Sequence, residues 1–169
     1  MKTNRILIPL DGSEMAEAAI ADARQVAGAE STLLLVRAAN ARIMPGADVI
    51  GEQIIAVREA GEYLATLKGK LEKDGVRGIE THVWSGPAAA AIVDAVRAQK
   101  VDLIVMTTHG RSGLGRLVFG SVAEAILRGT NVPILLVRPT AAPLDVPAGH
   151  GEAGPVKKTE ATPRTEVLR

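Results

Sequence analysis

The sequence contains no cysteine and almost no aromatic side chains: Tyr63, Trp84 and Phe119 are the only three among 169 residues. Without cysteine, disulfides, thiolate catalysis and cysteine metal sites are excluded. So few aromatic rings cannot furnish a base-stacking platform for nucleic acid. A net charge of +1 gives no large field to steer a polyanion. No window approaches the ~20 apolar residues of a membrane span. The apolar run in MKTNRILIPLDG is far too short for a signal peptide. The expectation is a soluble cytoplasmic protein that engages neither nucleic acid nor membrane.

What is plentiful is Val, Ile, Leu and Ala, within a composition 47% hydrophobic and 23% charged, ordinary for a globular domain. A core of such residues suits buried parallel strands flanked by helices. Apolar runs and helical patterns alternate down the chain. They predict strands at 5–10 (RILIPL), 32–38 (TLLLVRA), 79–84 (IETHVW), 102–107 (DLIVMT) and 132–138 (VPILLVR). Helices are predicted at 14–27, about 50–73 with an end near Gly75, 88–99 and 121–128. Strands alternating with helices mean a five-stranded, parallel, doubly wound α/β sheet in a single domain over residues 1–139. Residues 39–47 read as a loop that could flank a pocket. Residues 140–169 hold four of the nine prolines, no aromatic residue and balanced charges. That tail cannot bury enough apolar surface to fold alone and is expected to be disordered.

In such sheets ligands bind beyond the carboxyl ends of the strands, where the strand order reverses. The loops after the first and fourth strands are therefore the ones to search. The fourth strand runs into TTHGRSGLGRLVFGSV, residues 107–122, which carries Gly110, Gly113, Gly115 and Gly120 with Arg111, Arg116, Ser112 and Ser121. Glycines let backbone amides approach a ligand closely, and a helix N-terminus offers unpaired N–H donors to an anion. The segment reads as a place to hold phosphate. A plainer reading makes Ser121 only the cap of the last helix, since Ser121 and Glu124 have capping-box spacing; the two roles are compatible. Neither common nucleotide fingerprint fits. No Gly-Lys-Ser/Thr occurs in the chain, and from Gly113 the sixth position of a G-x-G-x-x-G is Val118.

After the first strand, Asp11 in IPLDGSEMAEAAI either caps the first helix, with Glu14 at box-like spacing, or presents a carboxylate to a ribose hydroxyl. His82, His109 and His150 are scattered, and their spacing resembles no metal site. Ser85-Gly86-Pro87 is a helix start with proline near the first turn. No Ser/His/Asp set, carboxylate pair or activated lysine is apparent, so no catalytic residue is assigned.

The order of elements, the first-strand exit and the block VDLIVMTTHGRSGLGRLVFGSVAEAILRGTNVPILLVRP resemble the universal stress protein A family over about residues 2–139, in particular its ATP-binding subgroup. Nucleotide-binding members of that family carry G-x-x-G, nine residues, then G-[ST], with an Asp after the first strand. Gly110, residues 111–119 and Gly120-Ser121 match that pattern. Thr107 stands where the first glycine would be; its hydroxyl could contact ribose or phosphate instead.

The resemblance implies a flavodoxin-like or adenine nucleotide α-hydrolase-like fold. It also implies a homodimeric, cytoplasmic regulator of the stress response that binds ATP, with any Mg²⁺ held mainly by phosphate oxygens and water. It places Pro9 and Asp11 at the ligand, with Asp11 on the ribose and adenine held by backbone around Arg37 and Ala38. Gly110, Gly113, Gly120, Ser121 and Val122 would hold phosphates, with Arg111 or Arg116 neutralising charge. It also implies that strand five, 132–138, pairs across the dimer. Two alternatives stay open. One is a dimeric interaction module that binds no nucleotide, favoured by Thr107. The other is a slow ATPase, although no residue is evidently placed to activate water.

Overall fold

The computed structural model describes residues 3–41, 45–46, 48–107 and 120–138. Gly110, Arg111, Gly113, Arg116, His109, His150 and the tail from residue 140 lie outside the described residues, as does part of the 39–47 loop. The elements run β1 (Arg5–Pro9), α1 (Glu14–Val26), β2 (Thr32–Ala39), α2 (Val49–Lys73), β3 (Ile79–Ser85), α3 (Ala88–Ala98), β4 (Leu103–Thr107), α4 (Ser121–Gly129) and β5 (Ile134–Val137). All nine predicted elements are present, most within a residue or two of their expected bounds.

The strands form one five-stranded sheet in the order β3-β2-β1-β4-β5, every neighbouring pair parallel. The order 3-2-1-4-5 is that of the first five strands of the dinucleotide-binding sheet, whereas flavodoxin's is 2-1-3-4-5. It reverses between β1 and β4, because the chain builds outward from β1 to β3 on one side and from β4 to β5 on the other.

Strands buried on both faces read as continuous apolar runs, and successive side chains alternate between the faces. Ile6 and Ile8 of β1, Leu33 and Leu35 of β2 and Val105 of β4 pack with Ala19, Ile20 and Ala23 of α1 and Leu64 and Leu67 of α2. Leu7, Leu34, Val36, Ile104 and Met106 face the other way, onto Ile92, Ala95 and Val96 of α3 and Ala123 and Ile126 of α4. Ile6, Leu7, Ile8, Leu34, Leu35 and Ile104 are wholly or almost wholly buried.

Local chemistry sets the helix ends. α2 begins at Asp48, whose Oδ1 accepts the Ile50 N–H at 3.1 Å. It ends in a left-handed Gly75 (φ +81°). There the N–H of Gly75 reaches the Glu72 carbonyl and that of Val76 the Leu71 carbonyl, both at 3.0 Å. Those two bonds are the paired closure expected of a glycine-terminated helix. β5 starts at Ile134 rather than Val132. Pro133 gives its carbonyl to the Ile104 N–H at 3.0 Å but has no N–H to return.

Candidate functional site

β1 and β4 part company before they end. Their register holds at Ile6↔Leu103 and Leu7↔Ile104. Beyond that point β1 stays with β2 through Pro9↔Val36, while β4 stays with β5 through Thr107↔Val137. Proline explains the parting. N–H groups alternate sides along a strand, and that of Leu10 goes to the Val36 carbonyl of β2 at 2.8 Å. The preceding position therefore points at β4, and Pro9 has no N–H to offer there.

The gap is a cleft of about 140 Å³, lined by Pro9, Leu10 and Asp11 from β1 and its exit, Ala38 from β2 and Met106 and Thr107 from β4. Ala16, Ala88, Ile92 and Val122 close it from the helices. It sits at the carboxyl edge, where the strand order reverses. Its volume is below the ~300 Å³ at which pockets for whole drug-sized ligands begin. A ligand of that size would extend beyond it.

Five of the expected residues, Pro9, Asp11, Ala38, Thr107 and Val122, are brought together here. Gly120 and Ser121 stand at the start of α4, beside Val122. Leu10, Ala16, Ala88, Ile92 and Met106 were not anticipated. Ala16 and Ala88 lie in the first turns of α1 and α3, and the rule that ligands sit beyond the carboxyl ends would have found them. The three alanines of the lining, Ala16, Ala38 and Ala88, keep larger side chains out of the space.

Several assignments change. Ser121 is not the cap of α4: Gly120 holds that position, and no side chain caps this helix among the described residues. Glu124 therefore closes no capping box. Its backbone N–H bonds the Gly120 carbonyl at 3.0 Å, and its carboxylate takes the Arg128 guanidinium at 2.6 Å. The amides of the first turn are left to other partners, and the helix dipole favours a negative one. Pro87, expected near the first turn of α3, is its N-cap.

Asp11 is not the cap of α1 either. Ser13 is, its Oγ accepting the Ala16 N–H at 3.1 Å. Asp11 holds the cap instead: its Oδ1 accepts the Ser13 N–H at 2.9 Å and the Ser13 hydroxyl at 2.6 Å. This fixes an exposed carboxylate at the mouth of the cleft. Arg37 and Ala38, paired in expectation, point to opposite faces, and only Ala38 reaches the cleft. Thr107 is 7% exposed, the one buried polar residue among the described residues.

Other polar clusters lie elsewhere. At the opposite edge Arg5 pairs with Glu80 at 2.7 Å, and this guanidinium holds the Glu80 carboxyl below its usual value. His82 lies 3.8 Å from the same carboxylate. Among the described residues no group of three His, Asp or Glu could hold a metal, and no helix is long and apolar enough to cross a membrane.

Comparison with known proteins places this architecture. A universal stress protein of Methanocaldococcus jannaschii is 34% identical over 139 residues, covering 79% of this chain and 81% of its own. A solved protein of the universal stress protein family from Burkholderia pseudomallei matches with a TM-score of 0.64 and 27% identity, over 80% of this chain and 96% of its own. A universal stress protein family protein from Arabidopsis thaliana, solved with AMP bound, shares the fold at a TM-score of 0.58 and 13% identity, over 82% of this chain and 93% of its own. The model of the Universal stress protein family matches residues 2–138, from the first strand to the end of the last. The chain belongs to the universal stress protein family.

Proposed function

We propose that this protein binds an adenine nucleotide, ATP in the first instance, in the cleft between β1 and β4, and that it acts as a regulatory stress-response protein. One observation carries the reading: the carboxylate of Asp11, the small apolar walls and the uncapped start of α4 converge on a single cleft at the strand-order reversal. The residues fit the parts of the ligand. Ala38, Ala88, Ile92 and Met106 offer an apolar slot for a base, and Asp11 an acceptor for ribose hydroxyls. The first amides of α4 offer donors for phosphate, with the Ser121 hydroxyl beside them. Gly110, Gly113, Arg111 and Arg116 belong to the same proposal. Mg²⁺, where present, would be carried on the phosphates. The AMP bound by the Arabidopsis relative supports the ligand class.

Thr107 supports a second reading, in which the chain binds no nucleotide and works as a dimeric interaction module. Its side chain is buried at the cleft wall, where glycine would leave more room. In either reading β5, an edge strand of four partly buried residues, is the proposed dimer contact. Light scattering of the purified protein tests that part.

Calorimetric titration with ATP, on protein stripped of carried-over ligand, separates the readings. We expect saturable binding by the parent and a loss of at least about tenfold for Gly120→Val, whose side chain crowds the phosphate end. An absence of binding by the parent would sink the nucleotide reading and leave the interaction module. The slow-ATPase alternative needs phosphate release over hours that the same substitution abolishes.

A further inference from the structure

Arg37 leaves β2 on the face opposite Ala38, away from the cleft, yet it touches the cleft's supporting loop. Its guanidinium carbon lies 4.5 Å from the centre of the Tyr63 ring on α2. It also meets the turn between β1 and α1. A methyl group placed on Gly12 would stand 3.1 Å from Nη1, 3.2 Å from Nη2 and 3.3 Å from Cζ. Gly12 has a φ of +88°, a conformation that glycine adopts freely and other residues rarely. Its missing side chain is thus needed twice, once for the turn and once for the approach of the arginine.

The ring beneath the arginine is itself held. The Tyr63 hydroxyl donates to Glu17 Oε1 of α1 at 2.8 Å, so the ring beneath the guanidinium is tied to the helix that follows the turn. Burial, with the bond to Glu17, pushes the Tyr63 hydroxyl above its usual range and keeps it a donor. A planar guanidinium suits a slot between an aromatic ring and a peptide; a compact, strongly hydrated ammonium does not. Directly beside Gly12, Asp11 is committed to Ser13 through both the backbone and the hydroxyl. The direction of the Asp11 carboxylate therefore follows the angle of this turn.

We propose that Arg37 is a positioning residue: it holds the 11–13 turn at the angle that presents the Asp11 carboxylate to the cleft, and so sets how strongly the protein reads ribose hydroxyls. The ligand half of this assignment rests on the nucleotide reading above; the holding of the turn does not.

Two measurements on the full chain test it, with Arg37→Met and with Arg37→Lys. In the ligand-free protein, amide exchange is followed at Ser13 and Ala16, whose N–H groups are bonded within the turn. Arg37→Met is expected to speed both by about tenfold, with Ala19 and Ala23 inside α1 unchanged. The second measurement compares titration by ATP and by 2′,3′-dideoxy-ATP. The parent is expected to prefer ATP by about tenfold, the effect of a hydrogen bond to a carboxylate. Arg37→Met should narrow that preference to about threefold or less and leave dideoxy-ATP within about twofold, with Arg37→Lys between. A merely structural role would weaken both ligands alike. Equal losses, or unchanged exchange at Ser13 and Ala16, would overturn the assignment. A parent that binds both ligands equally, or neither, removes the ribose role of Asp11, and the exchange rates then decide alone whether Arg37 holds the turn. Should Arg37→Met fail to fold, Arg37→Lys carries both measurements.

Discussion

At the amino edge of the sheet, Asp102 ties β1 and β4 together. Its Oδ2 accepts the N–H groups of Asn4 and Arg5, each at 2.9 Å, and its own N–H returns to the Arg5 carbonyl at 2.9 Å. A few residues along, at the carboxyl edge, the same two strands have separated around the cleft. Between Arg5 and Thr107 both strands are apolar, so their interior side chains do not explain why one end closes and the other opens. The difference lies in backbone donors: a carboxylate collects two at one end, and proline withholds one at the other. The sheet thus spends its polar chemistry on closure at one edge and on opening at the other, and stability and binding should respond to different residues.

The strongest separation is expected from Asp102→Ala. It leaves two backbone N–H groups without their acceptor and should cost about 1–3 kcal/mol, seen as a lower urea midpoint. Nucleotide affinity should stay within about twofold, because the cleft lies at the far edge. A comparable loss of affinity would show that the two edges are coupled. Ala38→Leu should do the reverse. Its added carbons fill the slot, and binding should fall by about tenfold or more while the urea midpoint hardly moves. If this variant binds ATP as the parent does, the base does not lie against β2.

The smallest effect concerns pH and sharpens the view of the closed edge. Arg5 holds the Glu80 carboxyl below its usual 4.5, so folding favours the ionised form. The pair therefore contributes stability above about pH 4.5, and the contribution is lost as pH falls through the lowered value. With the Glu80 side chain 44% exposed, screening leaves only a few tenths of a kcal/mol. Unfolding of parent and Glu80→Gln at pH 7 and pH 3 should show a slightly steeper acid loss in the parent, and equal slopes would remove the pair from the account.

Most of the architecture was legible in the sequence because strands such as RILIPL and DLIVMT are short apolar runs between clear helical repeats. The site was legible in part. Pro9, Asp11, Ala38, Thr107 and Val122 do meet, as a doubly wound sheet requires of residues just beyond its strands. What periodicity could not convey was which of two nearby polar residues takes a cap. Ser13 wins over Asp11, and Gly120 over Ser121, because each choice depends on one turn's φ and ψ. Asp102 was expected inside β4 and stands before it, since its carboxylate is occupied by a segment 97 residues away. The contact between Arg37, Tyr63 and Gly12 joins three separate elements, and no local pattern announces it.

The short ladder between β1 and β4 has a mechanical consequence. Among the described residues the sheet is two leaves, β3-β2-β1 and β4-β5, stitched along a seam of two residue pairs. The cleft opens into that seam, with Pro9 of one leaf and Thr107 of the other on its walls, and Asp11 and Val122 beside them from the β1 exit and α4. Anything lodged there is a wedge that bears on both leaves at once, and α1, packed on Val105 of β4 as well as on Ile6 and Ile8 of β1, is the strap that spans the seam on one face.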